Sequence, residues 1–309
     1  IEPLVEMGAN ISGSKEDTLP LHIVPSKKII GINYEMPIAS AQVKSAILFA
    51  SLGAKGETKI TEKSISRDHT ERMFEYFGAS ITYSARETTL KDTEKFISQD
   101  IEVPGDFSSS AFFMVAALIS KNSNITLKEV GMNPSRIALI NKLKEMGGNI
   151  QVFNHSLFGK EPIADINVKS SILHACEVVP EDVPNLIDEL PVLFVACSFA
   201  EGTSNFYEIE ELKHKESDRL KAMQEGLDKM KINNFFEDSI FCIEGKGKDY
   251  KSPNFLAETY YDHRIAMSFA IAGLNSSSSI EISAPESINT SFPEFIDLGK
   301  TLGCNFELS

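Results

Sequence analysis

One short pattern recurs along this chain and limits what it can fold into. An amphipathic segment ends on an apolar residue, followed by glycine, a small residue, a polar residue and a β-type run. It reads Met7-Gly8-Ala9-Asn10-Ile11, then Phe77-Gly78-Ala79-Ser80-Ile81, Met146-Gly147-Gly148-Asn149-Ile150 and Leu302-Gly303-Cys304-Asn305-Phe306. A weaker copy, Met230-Lys231-Ile232-Asn233, has Lys in the glycine place. Glycine after an amphipathic stretch marks a helix C-cap. The backbone turns left-handed there, at no steric cost without a Cβ, and the chain leaves as a strand. The copies recur about every 70–80 residues, so the chain repeats one supersecondary unit.

Between these markers lies a second kind of helix, more uniformly apolar, at 40–52, 108–119, 188–199 and 262–274. Helices apolar all round are buried. Short strands are expected at 57–60, 125–128, 203–208 and 279–282. A βαβαββ-like unit repeated in this way predicts an α/β or α+β fold with helices inside and sheets around them. The 309 residues exceed one ordinary core and point to two domains. The first marker closes only the tail of a unit. If two domains share an even number of units, six is the natural count, and roughly 100–150 residues would precede Ile1.

Composition narrows the class. Apolar residues make up 42% and charged residues 24%, a globular balance, and the net charge of −14 argues against a nucleic-acid binder. The longest apolar runs, 111–119 and 190–200, fall short of the ~20 residues of a membrane span, and no signal-peptide pattern opens the chain. The expected location is the cytoplasm. Cys176, Cys197, Cys242 and Cys304 form no CxxC or CxxH pair, so they read as reduced thiols acting as small hydrophobes rather than as a zinc site. The run EGKGKD at 244–249 reads as a hairpin turn, because no GxxxxGK[ST] phosphate loop is present.

Polar residues gather at the expected helix N-termini. They are Ser40 and Gln42; Ser66, Arg67, Asp68 and His69; Asp106 with Ser108, Ser109 and Ser110; Ser135 and Arg136; Asp188 and Glu189; Lys215, Glu216, Asp218 and Arg219; Asp262, His263 and Arg264; Thr290 and Ser291. Capping accounts for Asp106, Ser108, Ser109, Ser135, Asp262 and Ser291. The cations are harder to dismiss. Arg67, Lys215 and Arg264 fall at helix starts, where the macrodipole opposes positive charge by ~0.3–1 kcal/mol. Their recurrence in successive units suggests anions that offset that cost. On a helix starting near Lys215, Lys215 and Arg219 would share a face, as would Glu216 and Arg219; a solvated, self-paired helix is the plainer alternative. Asp188 precedes a buried helix and serves either as a cap or as a general base. His263 opens another and is either structural or part of a site.

The ordered segments ASAQVKSA (39–46), SRDHTE (66–71), VPGDFSSSAF (103–112), IDELP (187–191), KESDRL (215–220), DHRIAMS (262–268) and TSFPEF (290–295) resemble one family over essentially the whole chain. It is the family of 3-phosphoshikimate 1-carboxyvinyltransferases, the synthases of 5-enolpyruvylshikimate 3-phosphate. KESDRL followed by DHRIAM is highly specific, and Ser-Ala-Gln with Arg-Asp-His-Thr-Glu looks like the glyphosate-insensitive subgroup. The resemblance implies an inside-out α/β barrel of six units, with helix N-termini facing a cleft. The first domain, 1–102, would be incomplete and carry the shikimate 3-phosphate side. The second, 103–309, would carry phosphoenolpyruvate and the catalytic carboxylates.

The resemblance also implies the chemistry. The carboxyvinyl group of phosphoenolpyruvate moves to the 5-hydroxyl of shikimate 3-phosphate through a tetrahedral intermediate that loses phosphate, without metal or organic cofactor. By resemblance Ser40, Ala41, Gln42, Ser66 and Arg67 hold shikimate 3-phosphate, with Lys215 reaching it. Arg219 and Arg264 grip phosphoenolpyruvate, Asp188 takes the hydroxyl proton, Glu216 handles the methylene proton, and His263 supports the site. Such addition–elimination needs an acid, a base and fixed cations around one carbon. The family's N-terminal Lys-Ser stretch, Asn-Ala-Gly-Thr loop and substrate-contacting Arg have no counterpart here, and Thr290 stands where many relatives place a late lysine. The 309-residue chain alone is therefore expected to be inactive or nearly so, and a complete protein to be monomeric. The alternatives are a UDP-sugar enolpyruvyl transferase, which shares the fold but not KESDRL or DHRIAM, and a non-catalytic repeat scaffold.

Overall fold

All five marked helix ends turn left-handed where the pattern places the turn. In the computed structural model, which describes residues 1–15, 18–26, 28–92 and 95–307, φ is +95° at Gly8, +80° at Gly78, +92° at Gly147 and +90° at Gly303. Lys231, the non-glycine member, adopts +61° and carries the steric cost of its Cβ. After the first four turns in chain order the backbone runs into a strand; residues 304–307, after the last, form no regular element.

The chain divides into two units, Ile1–Val103 with Leu157–Pro162, and Pro104–Ser156 with Ile163–Ser309. Among the described residues, the first begins with α1 (Glu2–Glu6) and the antiparallel pair β1 (Asn10–Ser12) and β2 (His22–Val24). It continues through β3 (Asn33–Met36), α2 (Ala41–Ser51), β4 (Thr58–Glu62), α3 (His69–Tyr76), β5 (Ile81–Tyr83) and β6 (Glu87–Leu90). Strand order is β3-β4-β6-β5, with β3 and β4 parallel and the other pairs antiparallel. This is one complete βαβαββ unit.

The second unit repeats it. Its elements are α4 (Phe107–Ile119), β7 (Asn124–Gly131), α5 (Ala138–Glu145), β8 (Asn149–Phe158), β9 (Glu161–Lys169), β10 (Leu173–His174), β11 (Glu177–Val178), α6 (Val183–Leu186) and α7 (Leu190–Ser198). There follow β12 (Ala200–Phe206), α8 (Arg219–Lys229), β13 (Asn233–Glu237), β14 (Ile240–Lys246), β15 (Phe255–Ala257), α9 (His263–Gly273), β16 (Ile280–Ile282) and α10 (Phe295–Thr301). The order β10-β12-β14-β13 reproduces β3-β4-β6-β5, with β10 and β11 both parallel to β12. In the sheet β7-β9-β8 the leading strand has shrunk to a single parallel bridge from Gly105 to Val130. A further copy starts with the parallel pair β15–β16 around α9. Parallel strands require a crossover, and α2, α4, α7 and α9 are those crossovers.

Helices α4, α7 and α9 pack on one another at the centre of the second unit, with the sheets outside. Every residue of α7 is buried, as is every residue of α4 except Ser109 and Ser110. Phe194 of α7 meets Phe206 and Phe241 with ring centroids 4.7 and 5.2 Å away, edge and tilted contacts that favour aromatic pairs. Gly226 lets α8 approach α9, since a Cβ there would lie 1.8 Å from the Phe269 ring. Helix α2 departs from the expectation of full burial. Phe49 is 57% exposed and Val43 38%, so within its own unit α2 is covered on one side only.

Two local readings need correction, and one contact is new. EGKGKD is not the hairpin turn: Glu244–Lys246 lies inside β14, and the turn is Asp238-Ser239, both left-handed. Ser291 does not cap α10, whose first turn lacks a side-chain cap; it closes the preceding 3₁₀ turn at Pro285–Thr290. Cys176 and Cys197, distant in sequence, bring their sulfurs to 3.9 Å, a contact across β-loop and helix that spacing could not reveal.

The caps yield a paired expectation. Lys231→Gly should stabilise the second unit by about 0.5–1 kcal/mol by removing a left-handed Cβ. Gly147→Ala should cost about 1–2 kcal/mol, because its Cβ also meets the Ile172 carbonyl at 3.2 Å. Thermal melts, moving about 2–4 °C per kcal/mol at this size, check both. Shifts of the opposite signs would rule the caps out as stability determinants.

Candidate active site

Side-chain bonds tie together the N-terminal ends of the three central helices of the second unit. Asp106 caps α4, accepting from the Ser109 N–H at 2.7 Å, and Asp262 caps α9, accepting from the Arg264 N–H at 2.9 Å. Helix α7 has no side-chain cap; Glu189 occupies that place, 2% exposed, and faces inward instead. Ser108, which follows Asp106 in α4, is not a cap either. Its hydroxyl donates to Glu189 Oε1 at 2.5 Å and accepts from Arg136. Ser135 likewise donates to Asn133, which forms the turn before α5.

Arg219 is the first residue of α8 and is 1% exposed. Its Nε donates to Asp262 Oδ2 at 2.8 Å, and its Nη2 donates to Glu216. Its Nη1 lies 3.7 Å from Asp188 Oδ1 and, although buried, has no hydrogen-bond partner among the described residues. Asp188 also has Arg136 Nη1 at 3.6 Å, and its carbonyl accepts from Arg264 Nη1 at 2.7 Å. Of the candidate residues, Asp188, Glu216, Arg219 and Arg264 are thus linked directly, and His263 opens α9 beside them.

Lys215 departs from the expected geometry. It sits in extended backbone after a 3₁₀ turn at Glu210–His214, and α8 starts only at Arg219, capped by Asp218. Lys215 and Arg219 therefore share no helical face, and Lys215 pairs with Glu211. The equivalent cations of successive units are Arg67, Arg136 and Arg219, each introducing the amphipathic helix of its unit. Arg136 stands among the polar residues at the expected helix starts, and the register of the repeat, which aligns it with Arg67 and Arg219, is the signal that places it in the site.

The first unit has its own polar cluster. Ser40 caps α2 loosely, accepting from the Val43 N–H at 3.4 Å and donating to Gln42 Oε1 at 3.3 Å. Ala41 begins the helix, where backbone N–H groups lack intrahelical acceptors. Ser66 and Arg67 precede α3, and Ser66 Oγ is buried without a partner among the described residues. Buried Lys44 joins α2 to β4 and α3 through Glu62 at 2.8 Å and Glu71 at 2.7 Å.

Burial shifts Glu189 and His263 in opposite directions. It pushes the Glu189 carboxyl up, against the opposing pull of Arg136, Arg264 and the Ser108 hydroxyl. It pushes the half-buried His263 imidazole down, and Arg264 adds to that shift.

The EPSP synthase (3-phosphoshikimate 1-carboxyvinyltransferase) family model matches residues 1–298. The chain belongs to the EPSP synthase family. The 3-phosphoshikimate 1-carboxyvinyltransferase of Petrotoga mobilis is 43% identical over 300 residues, covering 96% of this chain and 69% of that protein. The one from Magnetococcus marinus is 43% identical over 307 residues, covering 99% and 69%. The solved EPSP synthase of Acinetobacter baumannii superposes with a TM-score of 0.92 at 43% identity, covering all of this chain and 71% of that one. The fold, helices at the centre of repeated βαβαββ units, is that of the EPSP synthases.

Two outcomes follow from this geometry. Asp262→Ala should destabilise the second unit by about 3–5 kcal/mol, since it strands the buried Arg219 guanidinium; a loss below 1 kcal/mol in urea unfolding would contradict the pairing. His263, followed by NMR of its ring protons, should titrate below 6.5. Its folded pKa is depressed, so its contribution to stability is present above the unfolded value and declines as pH falls through the folded one.

Proposed function

We propose that this chain carries the substrate-handling groups of a 3-phosphoshikimate 1-carboxyvinyltransferase. That enzyme moves the carboxyvinyl group of phosphoenolpyruvate to the 5-hydroxyl of shikimate 3-phosphate and releases phosphate. The observation that carries the reading is the buried Arg219 Nη1, which lies 3.7 Å from Asp188 Oδ1 and has no hydrogen-bond partner among the described residues. A buried donor without a hydrogen bond is costly, and an anionic oxygen placed there relieves it with a charge-assisted bond.

In the second unit, Arg219 and Arg264 grip phosphoenolpyruvate. Asp188, with only 21% of its side chain exposed, receives the proton of the attacking hydroxyl. Glu216 is 56% exposed and close to Arg219, which suits a carboxyl that delivers a proton to the methylene carbon and later removes one. His263, kept neutral by burial, supports the site without adding charge. Lys215, only 22% exposed, contacts shikimate 3-phosphate by releasing Glu211. In the first unit, Ser40, Ala41 and Gln42 at the start of α2, and Ser66 and Arg67 before α3, hold shikimate 3-phosphate. The free N–H groups of α2 and the unpartnered Ser66 hydroxyl support that assignment. Both ligands are small anions, and the reading places the enzyme in the cytoplasm as a monomer. Among the described residues no helix is long and apolar enough to cross a membrane.

Calorimetry on the 309-residue chain tests this. Phosphoenolpyruvate binding should weaken by about tenfold or more in Arg264→Ala. Shikimate 3-phosphate binding should weaken comparably in Lys215→Ala, a change at a partly exposed pair that leaves the fold intact. Binding that neither substitution alters would refute the assignment.

A further inference from the structure

One oxygen of Glu189 collects an unusual set of donors. Its Oε1 accepts from Ser108 Oγ at 2.5 Å and lies 3.7 Å from Arg136 Nη2 and 3.6 Å from Arg264 Nη1. The carboxyl is 2% exposed, so it is not a surface ion pair. The same two arginines bracket the preceding residue: Arg136 Nη1 is 3.6 Å from Asp188 Oδ2, and Arg264 Nη1 donates to the Asp188 carbonyl at 2.7 Å. Ser108 completes the arrangement from α4, since its hydroxyl also accepts from Arg136. Three helix starts, those of α4, α7 and α9, and the turn before α5 are therefore held through one carboxylate.

Glu189 occupies the N-cap place of α7 but makes no side-chain cap bond there. Its carboxyl faces two guanidinium groups instead. A planar guanidinium held at two points has one orientation, whereas one held at a single point rotates.

We propose that Glu189 is a positioning residue: with Ser108 as its bridge, it fixes Arg136 and Arg264 on either side of Asp188, so that the base and the anion-gripping arginine keep one mutual geometry. The inference rests on the assignment of Asp188 and Arg264 to substrate handling. Glu189 itself touches no substrate.

Nitrogen–proton NMR of arginine side chains in the full 309-residue chain tests the device without any ligand. Arg136→Lys and Arg264→Lys identify the two guanidinium signals. In the unsubstituted chain both should show slowed rotation. In Glu189→Gln, which keeps size but removes charge, both should lose it, and Glu189→Asp should restore at least one. If Glu189→Gln fails to fold, Ser108→Ala replaces it and should free Arg136. A lowered melting temperature with both signals still ordered would mean a purely structural role and would overturn the proposal.

Phosphoenolpyruvate titration supplies the second arm. Its affinity should fall by about tenfold in Glu189→Gln, the size of one charge-assisted contact, and recover in part in Glu189→Asp. Unchanged affinity would also overturn it. If the unsubstituted chain binds no phosphoenolpyruvate, the functional assignment fails, while the guanidinium signals still decide whether Glu189 orders its neighbours.

Discussion

The ion pair between Arg219 and Asp262 is the contact on which the second unit's polar centre depends. Both side chains are fully buried, at 1% and 0% exposure, and their 2.8 Å bond joins the start of α8 to the cap of α9. Removing two charges from water costs several kcal/mol each, and attraction returns that only when the remaining donors and acceptors are satisfied. Asp262 is satisfied three times over, by Arg219, Ser217 and the Arg264 N–H. Arg219 is left one donor short. An apolar pair would fill this space at lower cost, so what the ion pair contributes is a guanidinium with a spare N–H in a fixed place.

Repetition explains why the charges meet. Each central helix connects two parallel strands, so α4, α7 and α9 each start from the end of one strand and return to the beginning of the next. Their N-termini consequently lie at one end of the unit. Three positive helix ends brought together would repel, and Asp106, Asp188, Glu189 and Asp262 are the carboxylates placed among them. The arginines Arg136, Arg219 and Arg264 then balance the carboxylates. The outcome is a nearly neutral network in which Asp188, Glu189 and Asp262 each face an arginine, while Asp106 caps α4, and the first unit builds a smaller version around Lys44, Glu62 and Glu71.

The sequence made much of this legible, though unevenly. The left-handed turns, the central helices and the order of the motifs could be read directly, because each depends on residues close together in the chain. The capping roles of Asp106 and Asp262 were readable for the same reason. Ser108 and Ser135 also looked like caps but bond elsewhere, because a hydroxyl near a helix start has several possible partners. Lys215 reads from the sequence as the start of a helix that begins four residues later; Asp218 is the better cap, and Lys215 stays in extended backbone after the preceding 3₁₀ turn. Glu189 stood in view beside Asp188, yet nothing local marked it as the meeting point of α4, α7, α9 and Arg136.

What the sequence by itself determined is the repeating unit: where each helix ends, which helices are apolar enough to be central, and which family's motifs they carry. Backbone dihedral preference and side-chain periodicity act over a few residues, so they survive in a one-dimensional reading. Only the tertiary structure decided which charges pair. Arg219 with Asp262, Arg136 with Glu189 through Ser108, and Cys176 against Cys197 join residues from 21 to 81 positions apart. Electrostatic and hydrogen-bond energies depend on separations of a few ångströms, and those separations exist only after the parallel crossovers have brought the helix ends together.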